Sequence, residues 1–271
     1  MNTTTPQQPA PDTAVVLSAS RRTDLVACFP DYFITRLKEF PPHNVHSIVI
    51  WTKNPANLLG LEELRSCLSK YSQLYIHLSI TGMGATIFEP NIPPWQEVAD
   101  MVPGLVRLVG DPGRISWRFD PILFAQVAGK RYTNFSLFAP IAEAVKRSGV
   151  TSCRTSWVEA YKKVQRRVAK KNITLEIQPY EQRLAQAGEL RKIAEKTGMS
   201  VAYCSMEGFP RSRCIDGKLL IELHPEKALC SQRKAKGQRK LCGCTESLDI
   251  GWYSQKCRNG CIYCYAEPLV E

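Results

Sequence analysis

Ser47-Ile48-Val49-Ile50-Trp51-Thr52-Lys53-Asn54-Pro55 carries four large apolar side chains in a row and then turns abruptly polar. A strand with one wet face alternates apolar with polar. An unbroken apolar run is covered on both faces, as in a parallel sheet packed between other layers. The Lys-Asn-Pro ending marks where strand gives way to loop, because the residue before proline is pushed out of the helical region and Asn suits turns.

Working outward, β-rich runs recur at Ala14–Ser18, Ser47–Thr52, Leu74–Ile80, Arg114–Phe119, Thr151–Val158 and Met199–Cys204. Amphipathic stretches separate them: Asp31–Phe40, Asn57–Tyr71, Trp95–Val109, Asn134–Ser148 and Gln182–Thr197, the last two followed by Gly149 and Gly198. A glycine just past a helix is a common C-terminal stop. Repeated strand–helix units predict an α/β fold with a parallel sheet covered by helices. Ser247–Tyr253 reads as a seventh strand. Six or seven units fit a partial or closed barrel of the (β/α) type, with a doubly wound open sheet as the alternative. Ile173–Tyr180 reads as a loop or an extra strand. Residues 1–13 are polar and proline-rich and are expected to be a disordered tail, leaving 14–271 as one barrel-like domain.

The expected strand ends are polar. They offer Arg21, Arg22 and Asp24 after the first strand, then Lys53 and Asn54, then Thr81, then Arg118 and Asp120, then Ser156, and finally Cys204, Ser205 and Glu207. In parallel α/β folds sites form beyond the carboxyl ends of strands. One shared polar pocket is therefore expected, with Arg21, Arg22, Lys53 and Arg118 as anion clamps and Asp24, Asn54 and Asp120 as further catalytic candidates. Each has a plainer reading. Asp24 suits a helix N-cap, Asn54 and Asp120 precede prolines, and Arg118 with Asp120 makes an ion pair.

The chain has 271 residues, eleven cysteines and a net charge of +11. Eight cysteines lie between Cys204 and Cys264, whereas Cys28, Cys67 and Cys153 stand singly among apolar residues and read as small buried hydrophobes. Without a secretory leader, clustered thiols fit a reducing cytoplasm and metal ligation better than disulfides. No apolar run reaches the roughly 18–20 residues of a membrane span. The positive charge suits an anionic substrate or nucleic acid, or simply a solvated basic surface. Its densest stretch is Lys227, Arg233, Lys234, Lys236, Arg239 and Lys240, just ahead of Cys242. Neither a P-loop nor a G-x-G-x-x-G turn is present. The four histidines, His43, His46, His77 and His224, show no paired ligand spacing.

Cys257, Cys261 and Cys264 form a C-x3-C-x2-C loop with Tyr263 just before its last cysteine. Three thiolates are one short of a closed four-ligand site, which suits a [4Fe–4S] cluster with one open iron. A zinc site, with Cys261 and Cys264 as one ligand pair and Cys242 and Cys244 as the second, is the alternative. Cys204, Cys214, Cys242 and Cys244 are enough for a second site, either iron–sulfur or zinc, with Cys230 as a substitute ligand.

Ser18–Asp24, Trp51–Pro55, Trp117–Ile122, Cys242–Cys244 with Asp249–Gly251, and Gly260–Ala266 together resemble the domain-of-unknown-function-1848 family over about Val15 to Ala266. The terminal cysteine loop is similar to that of radical S-adenosylmethionine (SAM) enzymes. That resemblance implies a TIM-like barrel, circularly permuted because the loop comes last rather than after the first strand. It implies that the three cysteines hold the cluster and that the open iron chelates SAM. Reductive cleavage would then give a 5′-deoxyadenosyl radical that takes hydrogen from a substrate. It implies Tyr263 beside the adenine and an electron donor such as flavodoxin or ferredoxin. No Gly-Gly-Glu follows an early strand. Asn54, Thr81 and Asp120 are the candidates to hold the SAM amino group instead.

Overall fold

The computed structural model describes residues 14–252 and 254–270. The expected N-terminal tail and Tyr253, the last residue of the expected seventh strand, lie outside the described residues.

The strands are β1 (Val15–Ala19), β2 (Val45–Thr52), β3 (Leu74–Ser79), β4 (Ile115–Ile122), β5 (Phe124–Val127), β6 (Lys130–Thr133), β7 (Ser152–Trp157), β8 (Ile173–Leu175), β9 (Ser200–Tyr203) and β10 (Leu248–Asp249). Seven form one parallel sheet in the order β10-β1-β2-β3-β4-β7-β9. Every expected strand of the main sheet is present and parallel, the seventh shortened to two residues. β5, β6 and β8 make a small antiparallel sheet, so Ile173–Tyr180 supplies an extra strand at its start.

The helices are α1 (Leu25–Cys28), α2 (Pro30–Lys38), α3 (Ala56–Gly60), α4 (Glu62–Leu68), α5 (Trp95–Asp100), α6 (Val102–Val109), α7 (Phe138–Lys146), α8 (Lys162–Ala169), α9 (Tyr180–Lys196) and α10 (Gly217–Leu223). Two expected helices are each broken in two. Asn57–Tyr71 breaks at Leu61, just past Gly60, and Trp95–Val109 breaks at Met101, two residues before Pro103. Proline lacks the N–H that an uninterrupted helix needs there and instead opens the first turn of a new one.

The two faces of the main sheet are covered differently. Leu17, Ile48, Ile50, Ile76 and Trp117 pack on one face against helical residues such as Phe33, Leu64, Leu105, Phe138 and Leu190. On the other face Val16, Val49, Trp51 and Tyr75 pack against Ile215, Leu220 and the cysteines 214, 230, 242 and 244. Side chains from the sheet hold that second cover by its backbone. His77 Nε2 donates to the Cys214 carbonyl at 2.6 Å, Arg154 Nε to Arg213 at 3.0 Å, Gln73 Nε2 to Leu220 at 2.9 Å and His46 Nε2 to Ala228 at 2.8 Å. Residues 211–246 thus form a plug laid over the second face.

The sheet is open. Among the described residues nothing pairs β9 with β10, so the closed form of the expected barrel is absent. Closure needs backbone pairing along both edges. Here one edge strand is two residues long and the plug occupies the face that a closed barrel would fill with side chains. A third apolar group, with Met83, Phe88, Leu123, Val164 and Val168, seats Cys261, Ile262 and Tyr263.

Candidate functional site

β10 pairs parallel with β1, Leu17 opposite Leu248 and Ser18 opposite Asp249, so the cysteine loop leaves the sheet at the same end as the other strand-end loops. It is fastened on several sides. Ile262 N–H donates to Phe88 O at 3.1 Å, and Leu269 N–H to Cys257 O at 2.7 Å. Arg167 of α8 donates to the carbonyls of Ile262 at 3.0 Å and Cys264 at 2.8 Å.

Two buried carboxylates organise the surroundings. Asp24 caps α1 through Ala27 N–H at 2.9 Å. Its other oxygen accepts from Thr52 Oγ1 at 3.0 Å, Lys53 N at 2.8 Å and Asn259 Nδ2 at 3.1 Å, which ties the β1, β2 and cysteine loops together. Burial raises the Asp24 carboxyl, against those donors. Glu89, 1% exposed, accepts on one oxygen from Lys53 Nζ at 2.7 Å, from Thr81 Oγ1 at 2.8 Å and from the Tyr263 hydroxyl. Burial opposes the Lys53 charge, but Glu89 and the nearby Cys261 sulfur outweigh it and hold the ammonium on.

The thiols are unequal. Cys28 on α1 sits with its sulfur 3.9 Å from that of Cys257 and 3.4 Å from Asn259 Oδ1. The contact with Cys28 draws Cys257 down to about 7, helped by the backbone N–H groups of Asp24 and Asn259. Cys28 itself is raised by that hydrogen bond and by burial. Cys261 is raised by burial against the pull of Lys53. Cys264 is raised by burial although Ala266 N–H donates to its sulfur at 3.4 Å.

A second group forms where the plug meets the ends of β4, β7 and β9. The Cys214 sulfur accepts from Cys204 and Cys244 and is held well below the usual thiol range. Cys242, bonded to Cys244, is drawn down to about 6, whereas Cys204 and Cys244 are raised as donors. Arg118 Nη1 donates to Cys214 Sγ at 3.1 Å and Arg239 Nη2 to Cys204 Sγ at 3.6 Å. Cys214 N–H reaches Cys244 Sγ at 3.1 Å. Cys230 stands apart, its thiol on Gly217 O at 3.6 Å. Among the described residues no three His, Cys, Asp or Glu side chains converge on one point as ligands of a single ion.

Asp120 lies between the two groups. It pairs with Arg118, accepts from Ser156 Oγ, and is within electrostatic reach of both Lys53 and Cys204. A cavity of about 260 Å³ opens beside it, lined by Ser156, Trp157, Tyr180, Arg183, Cys204 and Glu207 among others.

Asp24, Lys53, Thr81, Arg118, Asp120 and the cysteines therefore do meet at one end of the sheet. Several expected roles change. Lys53 and Arg118 are already paired with Glu89 and Asp120, so neither is an unpaired anion clamp. Arg21 lies over the Trp51 ring and donates to Gln238 Oε1 at 3.0 Å. The Arg22 backbone N–H reaches Ser20 Oγ at 3.4 Å. Asn54 accepts from Ala56 N–H at 3.1 Å, which is turn chemistry with no link to the thiols. Tyr263 is buried, with Lys53 Nζ 5.7 Å from its ring centre. Cys28 is more than a small hydrophobe, since its thiol touches a loop cysteine. Sequence reading missed Glu89, Asn259 and Asn134. Asn134 is fully buried and bonds Thr81 O, Pro121 O and Leu123 N, joining three strand-end segments.

Fold and site together define an α/β protein with an open parallel sheet, a cysteine loop at its strand ends and a second nest of thiols beside it. The chain belongs to the family described as Domain of unknown function (DUF1848), whose model matches residues 16–266. No curated protein and no solved structure matches it.

Proposed function

We propose that the chain is an iron–sulfur protein and a radical SAM-like enzyme. On this reading Cys257, Cys261 and Cys264 hold a [4Fe–4S] cluster, and the substrate enters from the strand-end cavity. The observation that carries it is the setting of the loop. Three thiols leave β10 at the carboxyl end of a parallel sheet, with N–H groups donating to the sulfurs of Cys257 and Cys264 and the Lys53 ammonium beside Cys261. N–H···S donors and a cation are what an anionic thiolate-bound cluster requires, so the donor set fits. The placement of β10 beside β1 also suits a permuted, partly open barrel.

When bound, the cluster supplies the single electron for cleaving SAM. The chain's own residues position and insulate. Asp24 and Asn259 fix the loop against α1 and β2. Glu89 keeps Lys53 charged and pointed at the loop, and holds the Tyr263 hydroxyl. Arg118 pairs with Asp120, and Asp120 accepts from Ser156 of the cavity wall.

The test is anaerobic reconstitution. Thiolate-to-iron absorbance near ~400 nm is expected, with a reduced-state paramagnetic spectrum that changes on adding SAM. An unchanged spectrum removes SAM from the reading. A Cys261→Ser chain that keeps the full spectrum removes the loop cluster.

A second reading, a zinc-stapled nucleic-acid binder, rests on one feature. A groove of about 420 Å³ on the plug is lined by Arg211, Arg213, Lys218 and Lys234, with Asp216 as its one carboxylate. It requires oligonucleotide binding that weakens steeply with salt. No binding at low salt eliminates it.

A further inference from the structure

Cys204 directly follows β9, Cys214 lies in the plug, and Cys242 and Cys244 flank Gly243. Gly243 has little room for a side chain: a Cβ there would lie 3.0 Å from Arg213 Cγ and 3.1 Å from Ser212 O. Gly243 N–H donates to that same Ser212 carbonyl at 3.2 Å. Three separate stretches of chain thus bring four cysteines into one packed group. All four are at least half-buried, and three are under 9% exposed.

We propose that Cys204, Cys214, Cys242 and Cys244 form a second, closed four-thiolate site for a thiophilic metal centre, separate from the Cys257–Cys264 loop. The four cysteines pack together in the apolar group between the plug and the sheet, with Cys214 N–H 3.1 Å from Cys244 Sγ. Loading exchanges thiol protons for metal and draws the sulfurs round a common centre. Donors are already aimed at the sulfurs from outside: the Arg118 and Arg239 guanidiniums and the Cys214 N–H. Neutral thiols are weak acceptors, whereas thiolates recruit such donors. Zinc and an oxidised [4Fe–4S] cluster each leave a double negative charge with four thiolates, and the two guanidiniums offset it equally for both. No ligand is left over, so this centre is a staple that pins the plug to the end of β9.

The experiment compares the full chain with two variants, each purified anaerobically, exposed to zinc or to iron with sulfide, and desalted. In Cys257→Ser/Cys261→Ser/Cys264→Ser the loop is disabled. It is expected to retain either about one zinc or about four irons with matching sulfide, which names the metal. Cys242→Ser/Cys244→Ser is expected to lose that same complement. A folded triple variant that retains neither metal overturns the proposal, whatever the wild-type loop does. A double variant retaining the wild-type complement overturns it too. Mass-spectrometric alkylation of the native wild-type chain guards against misfolding of the variants. Cys204, Cys214, Cys242 and Cys244 should be protected when loaded and become reactive on chelation. Equal labelling in both states also overturns the proposal.

Discussion

Glu89 shows how a site residue escapes sequence reading. Lys53, Thr81 and Asp120 were visible because each directly follows an apolar run of the sequence, and Asp24 because it stands in the polar stretch after the first. Glu89 lies ten residues past the end of β3 in an irregular loop, with no motif around it, yet three of the site's side chains donate to it. Removing one partner of a buried pair strands the other's charge. Glu89→Gln should therefore cost about 3–5 kcal/mol in a urea titration. Adding Lys53→Met should recover part of the loss, and strict additivity would show that the pair is not coupled. Asn54 is a converse case: a polar residue at a strand end whose amide oxygen accepts from Ala56 N–H in a turn.

Elements were legible where their hydrophobic period was strong. β2 read as an apolar run, β3 as one interrupted by His77 and β4 as a strand alternating large apolar with polar residues, and α6 and α7 as clear amphipathic faces. The β5–β6 hairpin was hidden because its turn is Ala128-Gly129, both with positive φ, where Asn-Gly or Asp-Gly would be the recognisable signal. α8 was hidden because only Val164 and Val168 are buried in a run of lysines and arginines. The plug has little regular structure, so its role depends on contacts that periodicity does not report. Its internal packing is testable at Gly217, where a Cβ would lie 2.4 Å from Ser231 O. Gly217→Ala should lower the melting midpoint by several degrees and expose residues 211–246 to protease. Gly60→Ala, with nothing within 4 Å, should leave the midpoint unchanged or raise it slightly. In the helical layer, Phe138 packs 4.9 Å from the Trp117 ring and 5.3 Å from Phe119. Phe138→Ala should cost about 3–5 kcal/mol by denaturant titration.

Across the whole molecule, acid should loosen the plug before it unfolds the helical face. The His46 and His224 rings lie 4.6 Å apart and tilted to each other, both buried, where β2 meets the plug. Burial lowers each below its ordinary value, and the groups around them are Ser47, Arg114, Glu226, Lys227 and the Ala228 carbonyl. The unfolded chain therefore takes up protons first. Stability is full above about pH 6.5 and falls below it, by at most about 1.4 kcal/mol per pH unit for each histidine. Chemical denaturation between pH 8 and 5 should show that slope, and His46→Gln should flatten it. One further consequence concerns time. β1 pairs with β10, and Ser18 meets Asp249 across 231 residues of chain. At about 5–20 residues per second, the ribosome places on the order of 10–45 s between the making of these two strands. Throughout that interval one edge of the growing sheet has no neighbour, so a nascent chain needs something to shield β1 until its partner emerges.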